Sequence, residues 1–73
     1  MKLGELLRTT VDERFGSHVD AAEFLGVSPD QLYNWMNRTK KLSTDLAIVF
    51  EKLDVQPVDV FIAVKEDNEN GNS

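Results

Sequence analysis

The chain has 73 residues, of which 29% are charged, with no cysteine and a formal net charge of −5. That length accommodates one domain with a small core, and the lack of cysteine excludes a disulfide framework or a thiolate metal site. No apolar run is long enough to span a bilayer, and acidic residues interrupt the apolar positions of MKLGELLRTTVDERF, so this stretch does not read as a signal peptide and a cytoplasmic protein is expected.

The first predicted element is an amphipathic helix over Lys2 to Phe15, because Leu3, Leu6, Leu7, Val11 and Phe15 recur at helical spacing. Arg8 and Arg14 lie off that stripe and read as surface charge beside Glu5, Asp12 and Glu13. Gly16 is expected to end the helix, and Ser17 to start the next with Asp20 at the capping-box position. In this second helix Val19, Ala22 and Leu25 are expected to face the core, with Ala21 and Phe24 at its margins.

Gly26 falls where that helix must end, and glycine tolerates the left-handed backbone that ends helices. Ser28 then restarts the chain as an N-cap. Pro29 suits the first helical position, and Gln31 completes a capping-box pattern. Val27 and Leu32 are spaced as a hydrophobic staple. The third helix has two faces. Leu32, Trp35 and Met36 fall at i, i+3, i+4 and point inward. Asp30, Tyr33, Asn34 and Asn37 form the opposite stripe, with Arg38, Lys40 and Lys41 just beyond. Asparagine can pair bidentately with adenine, and Arg and Lys with guanine or phosphate. Any solvated helix face carries polar residues. The preceding helix and turn give this one the frame that a recognition helix needs.

After the basic turn, Ser43 caps a fourth helix, with Leu42 and Ala47 placed as its staple and Leu46, Val49, Phe50 and Leu53 on its inner face. Asp45, Glu51 and Lys52 form its solvated side. Pro57 is well placed to begin a fifth helix, with Asp59 in its first turn and Val58, Phe61 and Ile62 packed inward. That phase leaves Val60 and Val64 on another side as an interface pair. The alternative is an edge strand through VFIAV pairing with its twin. Either form predicts a homodimer. Residues 65–73, KEDNENGNS, read as a disordered acidic tail, which leaves 1–64 as the folded domain.

The run F-G-S-x-x-x-A-A-x-x-L-G-V-S-x-x-x-L-x-x-W, Phe15 to Trp35, resembles the helix-turn-helix of the Cro/CI (XRE-like) family of phage and bacterial regulators. Ala22 matches the small residue that lets the two helices approach, Gly26 the turn glycine, and Leu32 and Trp35 the apolar anchors. The resemblance implies an all-α, five-helix, lambda-repressor-like DNA-binding domain with its helix-turn-helix at about 17–38. It also implies that the start of the second helix, at Ser17 and His18, rests on the DNA backbone, where free N–H groups favour a phosphate. His18 has no recognisable nucleophile, orienting acid or metal-ligand companions, so it reads as a phosphate contact or a plain surface histidine.

Two residues depart from the family pattern. Pro29 lacks the amide side chain that relatives present near this point. Asp30 repels a nearby phosphate, although it suits the helix dipole and could accept from cytosine N4. Contacts to base edges or adjacent phosphates are therefore expected from Tyr33, Asn34 and Asn37. Backbone contacts are expected from the helix starts at Ser17, His18 and Ser28, and from Arg38, Lys40 and Lys41. Tyr33 has the alternative of packing against the second helix.

The expected function is a transcriptional regulator that occupies a duplex operator as a homodimer, with recognition helices about 34 Å apart. No enzyme activity, cofactor, small-molecule ligand or metal site is expected, since there is no phosphate-cradling glycine loop and no spaced ligand set. The rival is the same fold used as an antitoxin-like protein-interaction module. The acidic balance favours that rival, with its excess after Ser43 in Asp45, Glu51, Asp54, Asp59, Glu66, Asp67 and Glu69.

Overall fold

The computed structural model of the protein describes residues 1–39 and 41–71. Among these the chain is all-α, in five helices: α1 (Leu3–Arg14), α2 (His18–Leu25), α3 (Pro29–Arg38), α4 (Thr44–Lys52) and α5 (Pro57–Gly71). No helix is long and apolar enough to cross a membrane among the described residues.

Local chemistry sets most of the boundaries. The hydroxyls of Ser17, Ser28 and Ser43 each accept the backbone N–H three residues on, from Asp20, Gln31 and Leu46, at 3.1 Å in each case. Gly26 sits in the left-handed region at φ 73°, and its neighbour Val27 donates back to Ala22 O at 3.0 Å, so α2 closes in a Schellman-type turn. The same device ends α4 without glycine. Asp54 takes φ 61° while Val55 N donates to Phe50 O at 3.0 Å. α1 ends differently from expectation: Phe15 is its extended cap, and Gly16 stays outside the left-handed region.

The core gathers Leu3, Leu7 and Val11 from α1, Ala21, Ala22 and Leu25 from α2, Leu32 and Met36 from α3, Leu46, Val49, Phe50 and Leu53 around α4, and Val60 and Ala63 from α5. α1 is the central strut, packing on α3, α5 and α2. Its approach to α3 is close at Gly4, which is buried directly against the Met36 carbonyl.

The structure corrects the phase of two helices. In α2, Val19 is 61% exposed and Phe24 58%, whereas Ala21 is fully buried. The buried side centres on Ala21, Ala22 and Leu25, and each large residue lies about 110° away from that centre, one on either side. Phe24 instead lays its ring against Phe15, with centroids 5.4 Å apart.

In α5 the expected faces are exchanged. Val60 and Ala63 are buried and Val64 packs against the core, whereas Val58, Phe61 and Ile62 are exposed. Val60 and Val64 are therefore not the interface pair, and VFIAV is helical rather than an edge strand. The two stripes share one spacing, so periodicity does not choose between them. Contact of α5 with α1 decides, and it is Ala63 and Val60 that are buried.

α5 also runs on through Lys65–Gly71, where a disordered tail was expected. Residues 72 and 73 lie outside the described residues. The reason for the longer helix is Asp67, a buried carboxylate that accepts from Leu3 N at 2.9 Å. Lys2 offers α1 no side-chain cap, so Asp67 supplies one from the far end of the chain and favours the positive end of the α1 dipole. The Met1 amino group pairs with Glu66 beside it, a partly exposed contact of little weight. Replacing Asp67 with alanine is expected to cost about 1–2 kcal/mol in a urea titration. The variant should also lose helical amide protection over 65–68, because the Leu3–Asp67 bond is the buried tie between this segment and α1.

Candidate nucleic-acid interface

The outer face of α3 is open to solvent. Asp30, Tyr33, Asn34, Asn37 and Arg38 are all exposed, while Leu32 and Met36 are buried behind them and Trp35 packs against the core. Tyr33 is 58% exposed, so its ring is not packed away against α2. Ser17 and Ser28 stand at the starts of α2 and α3. Each hydroxyl oxygen accepts from its capped backbone N–H, which leaves the O–H free to donate outward. Lys41 is exposed beyond α3, and Lys40 lies outside the described residues.

Asn37 is exposed as expected, but both ends of its amide are engaged. Its Oδ1 accepts from Arg8 Nη2 of α1, and its Nδ2 donates to the Tyr33 carbonyl at 3.0 Å. Bidentate pairing with a base would require both bonds to break. No such contact holds Asn34 among the described residues. Arg8 reads from the sequence as ordinary surface charge, and it is the packing of α1 on α3 that brings it to Asn37. In the structure Arg8 is one helical turn beyond Gly4, where α1 meets the end of α3.

His18 is half-buried, with Nε2 at 3.4 Å from Asp12 Oδ1. The orienting acid that the sequence did not reveal is therefore supplied by α1, a helix away. A carboxylate this close to the start of α2 opposes an anion beside His18. Asp20 and Asp30, in the first turns of α2 and α3, add to the same opposition. Positive charge on this side comes from Arg8, Arg38 and Lys41, all exposed.

No group of three or more His, Asp or Glu side chains could hold a metal ion among the described residues. Comparison of the chain with family models, with curated proteins and with solved structures finds no match.

Proposed function

We propose that this chain is a sequence-specific, duplex-DNA-binding transcriptional regulator of the Cro/CI type, working in the cytoplasm by occupying an operator. The observation that carries the reading is the outer face of α3, exposed along its length and backed by a rigid buried stripe. A helix presented in this way can enter the major groove, which is about 12 Å wide. Phosphate contacts set the register: the Ser17 and Ser28 hydroxyls at the helix starts, Arg8 from α1, and Arg38, Lys40 and Lys41 where α3 ends. Asn34 and Tyr33 read base edges. Asn37 holds the Arg8 guanidinium against the end of α3 and so directs it. The homodimer expectation loses the residues assigned to it, since Val60 and Val64 are in the core, and the proposal does not depend on it.

The net charge of −5 argues for modest non-specific affinity. A titration of random duplex at about 50 and about 200 mM salt tests the reading. With roughly three or four cations engaged, affinity should fall roughly 40- to 150-fold across that range. Absence of binding at the lower salt would favour the protein-interaction module instead.

A further inference from the structure

α4 and α5 enclose a groove that the DNA reading leaves unused. It holds about 660 Å³, and its apolar lining includes Leu42, Phe50, Val55, Val60, Phe61 and Val64. Glu51 and Asp54 line it as well. The apolar surface continues past it, with Val58 61% exposed, Phe61 71% and Ile62 47%. That is a large oily strip for a chain of this size.

The charged side chains that line the groove itself are both acidic, Glu51 and Asp54. From Ser43 onward the chain has seven acidic residues and only Lys52 and Lys65 as bases. Lys52 is turned to the other side of α4, with its ammonium 3.5 Å from the Leu25 carbonyl. Lys41 is exposed next to Leu42, and Lys65 is exposed on α5 one helical turn beyond Phe61. Neither Glu51 nor Asp54 is in an ion pair among the described residues.

We infer that the α4–α5 groove docks a cationic amphipathic helix of another protein. Apolar side chains at i, i+3 and i+4 of such a helix fill the groove beside Phe61, and its Lys or Arg flank meets Glu51 and Asp54. A second copy of this chain fits less well, since it would set those two carboxylates against their own kind. A small molecule would leave the strip over Val58 and Ile62 uncovered. The site is distinct from the outer face of α3, so the inference stands or falls separately from DNA binding.

The probe is a synthetic Leu/Lys amphipathic peptide of about five helical turns, titrated into the isotope-labelled full chain. Its controls are a Leu/Glu twin and a scrambled Leu/Lys peptide of equal composition. Only the patterned cationic peptide should bind saturably, with amide shifts confined to Leu42, Ala47, Val55, Phe61 and their neighbours. Phe61→Ser should weaken it about tenfold or more, and Glu51→Gln with Asp54→Asn should weaken it and flatten its salt dependence. Phe61 is exposed, so the variant keeps its fold, which circular dichroism checks. Equal binding by the scrambled peptide or the acidic twin would overturn the inference. So would shifts elsewhere, or self-association of the chain alone that Phe61→Ser abolishes.

Discussion

Gly4→Ala is expected to lower stability by about 2 kcal/mol or more, a large share of the roughly 4–11 kcal/mol a domain of this size holds. A Cβ at this position would lie 2.3 Å from the Met36 carbonyl oxygen, 3.0 Å from its carbon and 3.3 Å from the Trp35 carbonyl oxygen. These are backbone atoms of α3, and no side-chain rotation relieves the clash. Alanine would regain about 1 kcal/mol of helix propensity, which the overlap exceeds. α1 and α3 must part, and the end of α3 that carries Arg38 moves with them. The measurement is the urea midpoint, with Gly16→Ala as the control, since nothing lies within 4 Å of a Cβ there. The control should be neutral or slightly stabilised. An unchanged midpoint for Gly4→Ala would show that the two helices can separate without cost, and the close α1–α3 pass would lose its role.

The second large effect separates two asparagines that sequence alone treats alike. On a duplex selected for tight binding from random sequences, Asn34→Ala should cost about 1–3 kcal/mol, with little change on random duplex. Asn37→Ala should instead cost under about 1 kcal/mol and weaken both duplexes by a similar factor, because it releases Arg8 rather than a base contact. Arg8→Ala should match Asn37→Ala and also reduce the salt slope by about one. If Asn37→Ala proved sequence-selective and Asn34→Ala did not, the roles would be exchanged. The Arg8–Asn37 bond would then be one that DNA breaks.

What the sequence made legible was local. Ser17, Ser28 and Ser43 as caps, Pro29 as a first helical residue and Gly26 as a left-handed stop all depend on neighbours within four residues, and the structure has each of them in place. The inner faces of α3 and α4 were legible because each had one apolar stripe. α5 had two, at the same spacing, and only contact with α1 decides between them. The choice turns on Asp67, a charged residue that apolar pattern reading leaves out of any buried stripe, yet which α1 needs at its uncapped start. The Arg8–Asn37 and His18–Asp12 contacts are likewise joined by packing rather than by sequence distance. On the candidate interface, therefore, the exposed stripe was readable. Which of its amides is already occupied was not.

The most direct test of the DNA-binding reading is an amide-shift map of the full chain saturated with its selected duplex at low salt. Shifts are expected at Ser17, Ser28, Tyr33, Asn34 and Arg38, along the outer face of α3 and at the two helix starts, with Val58 to Ile62 unchanged. Shifts centred on α4 and α5 with α3 silent, or no shifts at any salt, would contradict that reading.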